Sequence, residues 1–162
     1  MGRIELTVRV DAPRERVFDL ARSIDAHVAS ATGTDERPVA RAGGKTSGLM
    51  VLGDQVTWRA RHLGVVQHLT SSITAYDRPR HFRDSMVKGA FARFDHDHFF
   101  DEEGPSVTIV RDVFDFTAPL GPLGRIAEKI FLDAYMRRFI DERARVLKEL
   151  AESEDWERFV AS

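Results

Sequence analysis

Two histidines one residue apart, His96 and His98, lie in the run Arg93-Phe94-Asp95-His96-Asp97-His98-Phe99-Phe100. On an extended strand residues i and i+2 point to the same side, so the two imidazoles share a face at a backbone spacing of about 7 Å. Phe94 and Phe100 fall on that face. Arg93, Asp95, Asp97 and Asp101 fall on the other, together with Phe99. The face with the phenyl rings is the one that must turn inward. The same alternation places Phe82, Asp84 and Met86 inside one neighbouring strand, and Val110, Asp112, Phe114 and Phe116 inside another.

Such a set supports three chemistries. A histidine oriented by a carboxylate serves as a general base near neutral pH, and a second histidine serves as the acid. His-x-His with two aspartates is also an adequate ligand set for zinc or iron. In the third, the same groups orient the polar end of a bound molecule. An unpaired buried charge costs several kcal/mol or is neutralised. A dry core therefore does not collect Asp84, Asp112 and two histidines without cause. They pair into a structural network, or they line a cavity. No nucleophile motif is evident.

The elements that position these residues are readable from period and punctuation. Ile4, Leu6, Val8 and Val10 alternate with polar residues in a half-buried first strand within Met1 to Val10. Asp11-Ala12-Pro13 opens a helix with Val17, Phe18, Leu20, Ala21 and Ile24 on its apolar face, and a second short helix spans about Asp25 to Ala31. Strands are predicted over Glu36–Ala42, Gln55–His62, Val65–Tyr76, Phe82–Lys88, Ala92–Asp101 and Val107–Thr117, with short breaks that favour antiparallel hairpins. Val56, Trp58, Ala60 and His62 face in on one, and Gln67, Leu69, Ser71, Ile73 and Ala75 on the next. A long helix runs from about Leu123 to Ala151, with Leu123, Ile126, Ala127, Ile130, Ala134, Phe139, Ile140, Ala144, Leu147 and Leu150 buried. The opposite face (Arg137, Arg138, Asp141, Glu142, Arg143, Arg145, Lys148, Glu149) is mixed in sign and reads as solvated. Residues 152–162 form an acidic, loosely packed tail. The reading is one α+β domain over 1–162, a curved antiparallel sheet of about seven strands wrapped around its only long helix.

Composition narrows the function classes. The chain has 162 residues, 43% hydrophobic and 31% charged, with a formal net charge of −2. The scattered positive charges argue against a nucleic-acid partner. With no cysteine, disulfides and thiolate chemistry are excluded. No apolar run is long enough for a membrane helix or a signal peptide, so a cytoplasmic location is expected. Gly43-Gly44-Lys45-Thr46 has the end of a phosphate-binding loop but lacks its first glycine, where Val39 stands.

Val56-Thr57-Trp58-Arg59-Ala60, Ile73-Thr74, Phe82-Arg83-Asp84, Gly89-Ala90-Phe91, His96-Asp97-His98-Phe99-Phe100, Asp112 and Pro119-Leu120-Gly121, set in the order strand, two short helices, strands and long helix, resemble the START-like (SRPBCC, helix-grip) superfamily. Within it the chain is similar to small bacterial polyketide cyclase/dehydratase-like and cell-division-inhibitor-like members. The resemblance implies a cavity between sheet and helix, and no cofactor. The expected role is a binding or carrier module for a small, mostly apolar ligand, lipid-, isoprenoid- or polyketide-like. The alternatives are a cyclase, dehydratase or hydrolase working by His/Asp acid–base chemistry, and a metal-binding protein using His96 and His98. The expected ligand contacts are Trp58, Leu69, Phe82, Asp84, Met86, Phe94, His96, His98, Phe100, Asp112, Phe114, Ile130 and Ala134, and the catalytic candidates are His96, His98, Asp84 and Asp112. Gly43–Gly53 and Pro119–Gly124 are expected at the cavity mouth.

Overall fold

In a computed structural model, which describes residues 1–31, 33–62, 64–119 and 131–161, the alternating first segment forms strand β1 (Gly2–Val10). Helices α1 (Arg14–Ala21) and α2 (Ile24–Ser30) follow it. Pro13 precedes α1 without a side-chain cap, whereas Ser23 caps α2 by accepting from the Ala26 N–H. Then come β2 (Arg37–Pro38), β3 (Gln55–His62), β4 (Val65–Asp77), β5 (His81–Lys88), β6 (Arg93–Gly104) and β7 (Val107–Thr117). Helix α3 (Asp133–Glu152) closes the fold, followed by a 3-10 turn at Glu154–Phe159. Ile130 and the expected first turns of the long helix lie outside the described residues.

The seven strands form one antiparallel sheet in the order β1-β7-β6-β5-β4-β3-β2. Register turns the sequence alternation into rows across the inner face. Ile73, Asp84, His96, Phe114 and Ile4 are successive cross-strand partners, as are Tyr76, Phe82, His98, Asp112 and Leu6. Helix α3 packs across the concave side, with Met136, Ile140, Ala144 and Ala151 buried. Phe18 of α1 is fully buried, with edge contacts to Tyr76, Phe82 and Phe100.

Four expectations are corrected. The strand expected over Glu36–Ala42 shrinks to Arg37–Pro38, because the chain leaves the sheet edge for the glycine-rich loop. A bulge between Ile73 and Ala75 shifts the face of β4, so Ala75 sits opposite the outward Arg83 and Tyr76 turns in beside Phe82. The tail is packed rather than loose. Trp156, Phe159 and Val160 lie against the core, and the Ser23 hydroxyl donates to the Phe159 carbonyl at 2.6 Å. The charged face of the helix is not wholly solvated either, since Arg143 turns inward to Glu36.

Candidate functional site

Between the sheet and α3 lies a cavity of about 370 Å³. Strands β3 to β7 supply one wall with Trp58, Leu69, Phe82, Phe94 and Phe114, and α3 supplies the other with Met136, Ile140, Ala144 and Leu147. Met50 and Pro119 reach it from the two loops expected at the mouth. The 43–53 loop is tied down: the Ile24 N–H donates to the Gly48 carbonyl and the Met50 N–H to the Arg22 carbonyl. Lys45 is held by the Leu49 carbonyl and Asp54.

The polar groups of the cavity form two clusters. The first stands on β5, β6 and β7. His98 Nδ1 lies 2.6 Å from Asp112 Oδ1. A carboxylate only accepts, so His98 carries a proton on Nδ1, which in the neutral imidazole places the lone pair on Nε2. His96 tilts onto His98 with ring centroids 3.9 Å apart, much closer than the strand spacing alone dictates. Its Nε2 lies 3.4 Å from the same Asp112 oxygen and finds no hydrogen-bond partner. Burial alone would raise the Asp112 carboxyl, but His98 and His96 hold it well below the usual carboxylate range. Burial, with His98 alongside, pushes His96 down against the pull of Asp112. Asp84, opposite His96, has a buried Oδ1 without a partner. Burial pushes its carboxyl up, with Ser71 opposing.

The second cluster joins α2, the segment before β2, β3 and α3. Glu36 Oε2 accepts from His27 Nε2 at 2.7 Å and from Arg143 Nη1 at 2.9 Å. Arg143 also donates to His27 Nδ1. His27 therefore accepts on one nitrogen, donates on the other and is neutral. Burial, then the Arg143 charge, pushes it down to about 4. Burial would raise Glu36, yet Arg143 and His27 bring it to about 2. His27 stacks on Trp58 with centroids 3.8 Å apart. His62 Nδ1 pairs with the Tyr135 hydroxyl at 2.7 Å, and its Nε2 lies 3.7 Å from Glu36.

Of the residues singled out from sequence, Trp58, Leu69, Phe82, Asp84, Phe94, His96, His98, Asp112 and Phe114 all border this cavity. Phe100 is placed elsewhere, fully buried behind Phe82 against Phe18. Met86 packs in the phenyl cluster around Phe94 and Phe114. Ala134 is exposed, because the buried stripe of α3 is rotated towards Tyr135 and Met136. Sequence reasoning missed Glu36, His27, Tyr135 and Arg143 as cavity groups. Arg143 had a usable signal: positions 136, 140, 143 and 147 form one helical stripe, and Arg143 is its only charged member. Glu36 had none, since its partners are brought from three other elements.

The donor atoms of His96, His98 and Asp112 lie within 4.8 Å of one another. The 2.6 Å contact between His98 and Asp112 is that of a shared proton. Two ligands of one tetrahedral zinc stand about 3.3 Å apart, so a metal would first have to displace that proton. Among the described residues no helix is long and apolar enough to cross a membrane.

A curved antiparallel sheet gripping a long helix, with an apolar cavity and convergent polar groups between them, defines the START-like helix-grip class. The model of the polyketide cyclase / dehydrase and lipid transport family matches residues 1–152, and the chain belongs to that family. Among solved structures it is similar to the Zhui aromatase/cyclase from Streptomyces sp. R1128, with 15% identity, TM-score 0.74 and 93% of each chain covered. A protein from Thermus thermophilus gives 19% identity and TM-score 0.73, over 91% of this chain and 95% of that one. A START superfamily protein from Mycobacterium smegmatis gives 14% and 0.70, over 93% and 97%. No curated protein sequence matches the chain. At these identities the structures establish the fold.

Proposed function

We propose that this protein binds and carries a small, mostly apolar molecule, lipid-, isoprenoid- or polyketide-like, in the cavity between the sheet and α3. The observation that carries the reading is the cavity itself. Its volume of about 370 Å³ lies in the range of small-molecule sites, and its apolar wall is interrupted by a few convergent polar groups. The test is titration with N-phenyl-1-naphthylamine, read as probe emission and as quenching of the tryptophan emission, to which Trp58 in the cavity wall and Trp156 both contribute. Saturable one-site binding is the expected result. Ala144→Leu, which adds bulk from the helix wall where Ala144 is 7% exposed, should weaken it about tenfold or more while Tm stays within a few degrees. Absence of saturable binding, or identical binding by the variant, would overturn the reading.

One observation favours acid–base catalysis as a second reading. The His98–Asp112 bond fixes the tautomer that leaves Nε2 as a base on the cavity wall. A turnover lost in His98→Phe while probe binding persists would promote it.

A further inference from the structure

Cations that are scattered in the sequence are gathered by register on the outer face of the sheet. Trp58 and Ala60 turn inward on β3 and are buried, so Arg59 and Arg61 turn outward. Arg37 of β2 stands directly opposite Arg59, and Arg59 directly opposite His68 of β4. Like charges in that position destabilise a sheet. In the next row Lys88 of β5 is opposite Thr70, which shares a hydrogen bond with Thr57 at 2.8 Å. From Arg37 to Tyr76 the chain has five Lys or Arg and a single acid, Asp54. Lys45 holds Asp54 at 2.8 Å, and Asp35 accepts from Arg37 Nε at 3.0 Å. Among the described residues no carboxylate pairs with Arg59, Arg61 or Lys88.

The same end of the sheet exposes apolar side chains. Val65 and Val66 open β4 at the tip of the β3–β4 hairpin, and Val65 is 59% exposed. Val87, the extra residue of a bulge between Met86 and Lys88, is 56% exposed. Phe131 is 72% exposed and lies four residues before Tyr135, whose hydroxyl bonds His62, the cross-strand partner of Val65. Large apolar side chains exposed together and rimmed by polar ones mark an interaction site. Cations spread over four strands match a diffuse negative surface rather than one carboxylate, and the groups at the tip have no hydrogen bond to offer. We propose that the tip of the β3–β4 hairpin and the outer face beside it dock on an anionic lipid bilayer. Arg37, Arg59, Arg61 and Lys88 then meet the headgroups while Val65, Val87 and Phe131 enter the acyl boundary. Three residues of strand, about 10 Å, separate Arg59 from the end of β3, which keeps it within reach of headgroup charge. His62, Gln67 and Leu69, beside the tip, line the cavity, so docking turns that end of the cavity towards the membrane. The inference goes beyond the binding reading and does not require it.

The test is co-sedimentation with phosphatidylcholine vesicles that contain phosphatidylglycerol, against pure phosphatidylcholine. Wild-type protein should bind the anionic vesicles at low ionic strength, lose most of that binding at high salt, and bind the neutral vesicles at least tenfold more weakly. Arg59→Glu/Arg61→Glu should weaken partition at least tenfold with unchanged affinity for N-phenyl-1-naphthylamine, and Val65→Ser/Phe131→Ser should weaken partition about tenfold. Arg80→Glu/Arg145→Glu makes the same charge change in the β4–β5 turn and on the exposed face of α3, and should partition like wild type. Equal binding to neutral vesicles, or an equal loss in the two arginine variants, overturns the docking surface. Absence of vesicle binding at low salt overturns the bilayer as occupant, and salt-dependent retention on immobilised polyglutamate would then assign the surface to an acidic protein. Should a variant fail to fold, hydrogen exchange of wild-type protein with and without anionic vesicles decides. Slowed amides at residues 64–68 and 87–92 are expected, and slowing confined to other segments overturns the site. The cavity reading is decided separately by the probe titration.

Discussion

Acidification from pH 7 to pH 5 should destabilise this protein through His27, by an amount the structure sets. The ordinary imidazole value is 6.5, and burial with the Arg143 charge brings folded His27 down to about 4. Between those values the unfolded chain binds a proton that the folded chain refuses, so stability falls as pH falls. Integrating from pH 7 to pH 5 gives a loss of ~1.8 kcal/mol, and raising the folded value by one unit changes it only to ~1.5 kcal/mol. Below the folded value both states take the proton and the loss stops growing. For a chain of this length that is a fall in Tm of roughly 4–7 °C. Glu36, held at about 2, stays ionised across the window and contributes little there. His62 and His96 are also pushed down, so the wild-type loss includes them. The control is His27→Gln, whose amide can accept from Arg143 and donate to Glu36 but cannot titrate. Urea unfolding at pH 7, 6 and 5 should show a shallower decline for the variant, by about the amount above. Parallel profiles for the two proteins would refute the placement of a neutral, buried His27 between Arg143 and Glu36.

Three more outcomes follow from the same contacts. Glu36→Leu leaves the Arg143 guanidinium in the cavity without its carboxylate and should cost about 2–4 kcal/mol, of which Glu36→Leu/Arg143→Met should recover at least half in chemical denaturation. Ser23→Ala removes both the α2 cap and the bond to the Phe159 carbonyl, at 3.1 and 2.6 Å, and should cost about 1–2 kcal/mol, read as a lowered Tm. Phe18→Ala empties a site that is 0% exposed and ringed by Tyr76, Phe82 and Phe100. It should cost about 3–5 kcal/mol by the same measurement.

The strands that carry His96, His98, Asp84 and Asp112 were legible because alternation is a local property, and each of these residues keeps its neighbours' parity. Register across strands then put Asp84 beside His96 and His98 beside Asp112. The face of Ala75 was not legible, since a bulge inserts one residue and inverts parity from that point without any glycine or proline to announce it. The Glu36–His27–Arg143 ring was hidden for another reason. Its members are 9 and 107 residues apart from Glu36 and meet only after α3 docks. Arg143 was read by residue type as a surface charge, although its position on the 3.6 period places it on the buried stripe. Asp97 illustrates the opposite limit. It does point away from the cavity, yet Arg83 and His81 cover it to 5% exposure on the outer side of the sheet.

The two walls of the cavity are built on different kinds of scaffold. Asp84, His96, His98 and Asp112 stand on three adjacent strands, locked by main-chain ladders on both sides. Much of the shape of the opposite wall comes from side chains of one helix, Met136, Ile140, Ala144 and Leu147. Exchanging bulk along that helix alters which molecular outlines fit and leaves the polar row in place. On the binding reading proposed above, a lineage built on this chain can drift between ligands by small steps on α3 while it conserves one polar constellation. Directed libraries aimed at new ligands have their natural starting positions there.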